Sequence, residues 1–179
     1  VGAWLRRANP SHFRKRFLAS YDSQVAGVPH DLVFLLKGFS GDELSHARRE
    51  LRRRYSQSMF VEVDDAGFDI SAYRRAAKQI DQEIVVFLNS HSEIQADDWL
   101  VKLVHPFTTR PDAGVVGATS SWEQLDANTP FPNKHVRTNG FAIRRADFLA
   151  VDSGLLDSKL ACNQFEAGPR SMTRQLIER

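Results

Sequence analysis

A single cysteine, Cys162, stands in 179 residues; that excludes an intramolecular disulfide and agrees with a reducing compartment. No apolar run approaches the ~20 residues that a membrane-spanning helix needs, and the opening VGAWLRRANP lacks the apolar core of a signal peptide. The expected location is cytoplasmic, with peripheral contact at the inner face of a membrane as the variant of it. There is no internal repeat, no low-complexity linker, no nucleic-acid motif and no run of aromatics interleaved with basic residues, so nucleic acid ranks low as a partner.

What is present is ordinary for a soluble globular protein: 42% hydrophobic and 26% charged residues, in a length that fits one domain and buries a core without staples. The net charge is only +2, yet the basic residues are gathered. Arg6, Arg7, Arg14, Lys15 and Arg16 crowd the start, and Arg48, Arg49, Arg52, Arg53 and Arg54 crowd one predicted helix. Such groups are most simply solvated helix faces; the functional alternative is an anionic surface.

Apolar runs and turn signals alternate from residue 31 onward. Residues 31–36 read as a buried strand, followed by a turn at Lys37-Gly38-Phe39 and a helix opened by Ser40 and Glu43, with Leu44, Ala47, Leu51 and Tyr55 along one side. Residues 59–63 are a second strand ending in Asp64-Asp65. After Gly67, Asp69 suits the cap of a helix whose inner side carries Ile70, Tyr73, Ala77 and Ile80. Ile84, Val85, Val86, Phe87 and Leu88 are apolar without alternation, as in a parallel strand covered on both faces. A helix from about Asp97 and a short strand at Val115-Val116 follow. The order β-α-β-α-β-α-β predicts an α/β domain with a mainly parallel sheet flanked by helices over 31–179, behind a basic extension at 1–30.

That order singles out Asn89, Ser90, His91, Ser92 and Glu93, which emerge at the carboxyl end of the third predicted strand, where open α/β sheets hold their ligands. Residues 119–135, with Pro130 and Pro132, read as a long loop of the kind that binds or covers a site. Residues 138–145 suit a strand, 146–151 a helical turn and 171–179 a helix capped by Ser171. The dipeptide Asn139-Gly140 signals a turn.

The block GFDISAYRRAAKQIDQEIVVFLNSHSEIQADDWLVKL resembles the central part of family-two-type glycosyltransferases of the GT-A fold. Gly67, Arg75, Ala76 and Ala77 match that family's glycine turn and basic-small helix, Phe87-Leu88 the end of its metal-site strand, and residues 97–100 the following helix start. Asp64-Asp65 after Val63 is similar to the family's Val-Asp-Asp, and one strand-helix step of the full pattern is missing or compressed, which leaves open which of the family's strands residues 59–63 represent. Gly67-Phe68-Asp69-Ile70 and Asn133-x-His135-x-Arg137-Thr138-Asn139 look like bacterial polysaccharide-synthesis enzymes of the rhamnan type.

The resemblance implies a hexosyltransferase-like enzyme moving a sugar from a nucleotide-diphosphate donor to a saccharide acceptor in bacterial polysaccharide assembly. Lys37, Asp64 and Asp65 would touch the nucleotide, Asn89 and His91 the diphosphate or a metal, and Arg137, Asn139 and Trp122 the donor or acceptor sugar. Glu166, in Phe165-Glu166-Ala167-Gly168, would be the base that takes the acceptor proton, set against its plain reading as a helix-start acid. Asn89-Ser90-His91 stands where the family has Asp-x-Asp. A bridging Mn or Mg ion is thereby weakened, because Asn is uncharged and His suits softer metals; Glu93 is the one carboxylate nearby in sequence.

The departure keeps a rival open, a catalytically silent module that binds nucleotide or glycan. A nucleotidyltransferase fits less well, since Lys37-Gly38-Phe39-Ser40-Gly41 is a poor phosphate loop. The last predicted helix runs to the final residue, which suggests truncation.

Overall fold

Strand residues that are apolar at every position bury both faces, and the sheet is accordingly an inner layer. The computed structural model describes residues 1–7 and 11–179, with the backbone alone at Trp4. Its elements are β1 (Gly2–Arg6), α1 (Ser11–Ser23), β2 (Val33–Lys37), α2 (Gly41–Arg54), β3 (Met59–Val63), α3 (Asp69–Ala77), β4 (Ile84–Asn89), α4 (Trp99–Val104) and α5 (Pro106–Thr109). After these come β5 (Val115–Gly117), β6 (Ser120–Ser121), β7 (His135–Val136), β8 (Gly140–Arg144), α6 (Arg145–Ala150), α7 (Lys159–Ala167) and α8 (Met172–Ile177).

Six strands form one sheet in the order β3-β2-β1-β4-β8-β5, while β6 and β7 pair separately. The first four are mutually parallel, and β8 runs antiparallel to both β4 and β5. Val33, Leu35, Phe87, Phe141 and Ile143 face a core shared with Ile70, Tyr73, Phe148, Phe165 and Met172. Phe34, Leu36, Val86, Leu88 and Ala142 face the opposite core, with Phe17, Leu51, Leu100, Leu103 and Phe107. This is the α/β sheet with covered faces that the uninterrupted apolar runs predict.

The expected elements from 31 onward are present within a residue or two, and Ser171 caps α8 by accepting from Arg174 N at 3.4 Å. Ser40 is the N-cap of α2 but makes no side-chain cap bond, so the capping box does not form. Asp69 is the first residue of α3 and not its cap, which is Phe68. The loop at 119–135 is not bare, since its ends pair as β6 and β7.

The largest correction concerns residues 1–30. They are not an extension ahead of the domain: Gly2–Arg6 is the strand between β2 and β4. The step missing from the resemblance is therefore β1 and α1, upstream of where the apolar runs begin. β1 is hard to see because it is five residues long, ends in Arg6 and is followed at once by Arg7. Gly2 lets it approach β4, since a Cβ there would lie 3.2 Å from Phe87 Cδ1.

Because β1 carries ladder hydrogen bonds on both sides, removing residues 1–7 is expected to abolish cooperative thermal unfolding followed by circular dichroism. A sharp transition retained without them would show that the sheet closes without β1.

Candidate functional site

Strand register fixes which residues meet at the carboxyl edge. Arg6 pairs with Lys37 and Lys37 with Val63, so three strands end level. β4 pairs Asn89 with Trp4, and its tip follows beside the end of β1. β8 begins at the same edge because it runs the other way: Gly140 pairs with Leu88, and Asn89 N donates to Asn139 O at 3.1 Å.

Three cavities surround this tip. One of about 290 Å³ is lined by Asp69, Asn89, Arg137, Thr138, Cys162 and Glu166. A second, of about 550 Å³, lies on the α1 and α4 side and includes Asn89, His91, Ser92, Thr119 and Asn139. The third, of about 260 Å³, sits at the end of β1 between Arg6, Arg7, Ser11, Arg14, Phe39 and Ser90.

Glu166 is the most firmly placed carboxylate. Its Oε2 accepts from Thr138 N at 2.7 Å and Thr138 Oγ1 at 2.5 Å, and its Oε1 lies 3.4 Å from Arg137 Nε. It is not a helix-start acid but lies in the last turn of α7, where the helix dipole disfavours negative charge. α7 itself escapes sequence reading; its signals are Ser158, whose side chain caps it through Ala161 N, and the buried pair Cys162 and Phe165.

Asp69 belongs to the same cavity although its sequence position suggests only a cap. Burial pushes its carboxyl above the ordinary aspartate value of 3.8 and the Glu166 charge adds to this, against hydrogen bonds from Ile70 N and the Asn89 side chain. Burial, with Asp69 close by, likewise lifts the Cys162 thiol to about 11. The signal for Asp69 was its place in Gly67-Phe68-Asp69-Ile70, two residues after the turn glycine, whose φ is positive.

Lys37, Asp64 and Asp65 do come together. Lys37 is fully buried and its ammonium donates to Asp64 O at 3.3 Å, Asp65 Oδ1 at 3.2 Å and Ala66 O at 3.1 Å. All three protons are used inside the protein, which makes Lys37 a pin for the 64–66 loop in place of the nucleotide contact expected of it. Arg6 Nε bonds Asp65 at 2.9 Å, and Arg75 bonds Asp64 at 2.6 Å. These hydrogen bonds, from Arg6 and from Arg75 respectively, hold both carboxyls below the usual range.

The remaining expected residues divide. Arg137 faces Glu166 and also bonds Glu123 at 3.1 Å. Asn139 sits in the expected turn, its Oδ1 accepting from Thr119 at 3.3 Å. Trp122 is half exposed with Lys134 Nζ 4.5 Å over its ring, and it lines none of the three cavities. His135 is buried, with Nδ1 2.7 Å from Asn133 O, and is part of the packing under the loop. Glu93 is turned to Arg16.

A divalent cation fits this donor set poorly. The amide of Asn89 is committed, its oxygen accepting from His91 N at 3.2 Å and Ser92 Oγ at 3.0 Å and its nitrogen bonded to Asp69. His91 is exposed and its ring packs against Phe13 with centroids 4.3 Å apart and the planes tilted by 51°. Asp64 and Asp65 already hold cationic side chains, and among the described residues no group of three His, Cys, Asp or Glu could hold a metal. Hard cations need several uncommitted oxygens.

No family model and no curated protein sequence matches the chain. Solved structures do. A mannosyltransferase from Pyrobaculum calidifontis, in complex with GDP-Man and Mn2+, aligns over 87% of this chain with a TM-score of 0.61 and 17% identity. Glucosyl-3-phosphoglycerate synthase from Mycobacterium tuberculosis, with Mn2+, UDP-glucose and glycerol 3-phosphate, aligns over 82% with a TM-score of 0.54 and 19% identity. The fold is that of the GT-A glycosyltransferases. At such identities the likeness speaks for the GT-A fold alone, and the chain spans 49% and 57% of those two proteins.

Asp69 binds its proton more tightly in the folded than in the unfolded chain. Its favourable contribution is complete below about pH 3.8 and is lost as pH rises through the raised folded value. Asp69→Asn is therefore expected to stabilise the protein by about 1 kcal/mol at pH 7, with the gain shrinking toward pH 4, read as the difference in Tm between variant and parent at the two pH values.

Proposed function

We propose that the chain is the donor-binding part of a glycosyltransferase that moves a sugar from a nucleotide-diphosphate donor to a saccharide acceptor in bacterial polysaccharide assembly. The observation that carries the reading is Glu166, fixed by Thr138 and Arg137 in the cavity that also contains Asn89, at the carboxyl edge of a GT-A sheet. A structural carboxylate gains nothing from the end of a helix with Asp69 nearby; a base for an acceptor hydroxyl needs such a fixed and partly open oxygen.

In this reading the acceptor hydroxyl enters between Glu166 and Arg137. Glu166 Oε1 takes its proton while the oxygen bonds to the anomeric carbon, and the bond from that carbon to the donor phosphate breaks with its electron pair leaving on the nucleoside diphosphate. Thr138 occupies the other oxygen of Glu166, so the base presents one oxygen in one direction. Asn89 and Asp69, bonded to each other, form the wall against which the donor sugar rests. Asn139 holds a sugar hydroxyl from the other side of the tip, and Asp64 and Asp65 meet the nucleoside through the loop that Lys37 fastens. Trp122 lies outside the cavities and takes a sugar only from a long acceptor.

The committed amide of Asn89 gives a specific reason to keep the second reading, a silent nucleotide- or glycan-binding module. Transfer from UDP-, GDP- and dTDP-sugars to saccharide acceptors separates the two. With a productive donor, Glu166→Gln is expected to lower the transfer rate by about 10²–10⁴-fold with nucleotide affinity unchanged by calorimetry. Nucleotide binding without turnover in the parent protein would establish the silent module.

A further inference from the structure

We infer that the donor diphosphate is neutralised by Arg6, Arg7 and Arg14 at the end of β1, and not by a divalent cation on the tip of β4. The inference rests on the glycosyltransferase reading and assigns it a leaving-group site. A departing nucleoside diphosphate accumulates charge that something must balance, and the tip of β4 offers a committed amide, an imidazole packed against Phe13 and a serine. The compensating charge lies one strand away.

The cavity of about 260 Å³ there is lined by Ser90 of the tip and by Arg6, Arg7 and Arg14, with Leu5, Ser11 and Phe39 between them. Arg6 and Arg7 come from the end of the central strand, and Arg14 from the first turn of α1 that faces back over it. Their position follows from register: Ser90 comes next after Asn89, which pairs with Trp4, so the tip lies alongside Leu5 and Arg6.

Each arginine now has an acidic neighbour. Arg14 meets Glu50 only at 3.8 Å, beyond hydrogen-bond reach. Arg7 forks with Glu43 where both side chains are more than half exposed, and such pairs are weak in water. Arg6 is the most enclosed with its acid, sharing Asp65 with Lys37. Lys37 keeps Asp65 compensated when Arg6 turns to a phosphate. A diphosphate gathers two anionic groups in one place, and its paired oxygens accept bidentate guanidinium bonds, whereas a lone exposed carboxylate carries a single charge. Guanidinium groups are always charged, so no metal-linked or pH-linked step is needed to charge the site.

The test is calorimetric titration of the full chain with UDP, GDP and dTDP, in EDTA and again in excess Mn2+. The expected result is that at least one nucleotide binds in EDTA with an affinity that Mn2+ changes less than about fivefold. Arg14→Gln and Arg6→Gln should each weaken it by about tenfold or more, with Arg49→Gln on the exposed face of α2 as the unchanged control. The ion pair of Arg14 is with Glu50 and not with the Asp65 loop, so its variant stands even if Arg6→Gln disturbs that loop. Binding that requires Mn2+, or that Arg14→Gln leaves as it is, overturns the arginine site while the glycosyltransferase reading survives. No binding of any nucleotide in either condition overturns both.

Discussion

The pairing of β4 with the antiparallel β8 is the constraint on which the site depends. In an all-parallel sheet the neighbour of β4 would arrive at the carboxyl edge by its last residues and leave by a helix. Here β8 starts at that edge, so the segment before it, Arg137-Thr138-Asn139, is delivered to the tip of β4 by backbone geometry. The ladder continues one step past the strand through Asn89 N and Asn139 O. Thr138 then reaches Glu166 with both its amide and its hydroxyl, tying α7 to the same edge. The 119–138 loop is anchored beneath by Asn133, whose amide donates to Ala167 O at 2.7 Å and accepts from Arg174 at 3.2 Å.

That framework holds two acids in an arrangement a purely structural design would avoid. Glu166 sits at the wrong end of a helix for its charge, and Asp69 is buried beside it with a raised proton affinity. A carboxylate buried beside a second one, as Asp69 is beside Glu166, persists where the arrangement serves chemistry. The nearby Cys162 thiol, also lifted by burial and by Asp69, is less inclined to ionise and makes no claim on the role of base.

Most of the sheet was legible because strands covered on both faces leave apolar runs that no exposed segment would carry. Strands β2 and β4 announce themselves in this way, and the turn at Asn139-Gly140 is written in its dipeptide. β1 was not legible: five residues with Gly2 and Ala3 in front and two arginines behind carry little strand signal, and its place is fixed by partners on both sides. The site was half legible. Asn89 was singled out by its place at a strand end and Glu166 by resemblance, but Asp69 reads as a cap until the fold sets it in one cavity with Glu166. Lys37 reads as a ligand contact until its burial is seen, because no sequence pattern tells a lysine that reaches outward from one that turns back to its own loop.

The tension between Asp64-Asp65 and Asn89-Ser90-His91 resolves through strand order. β3 is the edge strand of the sheet, separated from β4 by two strands, so acids at its end cannot stand where the tip of β4 stands. Asp65 is drawn toward the centre only through Lys37 on β2 and Arg6 on β1, a chain of alternating charges along the carboxyl edge. Such a chain stabilises carboxylates by hydrogen bonds to cations, which lowers their proton affinity and equally their availability to a metal. It also leaves the basic groups in excess at the central strand, since Arg6, Arg7 and Arg14 converge there while their acids come from β3 and α2 at the periphery. Where a metal-bridged site concentrates negative charge and recruits a cation, this edge concentrates positive charge at its middle. An anionic leaving group is the ligand that such a distribution favours.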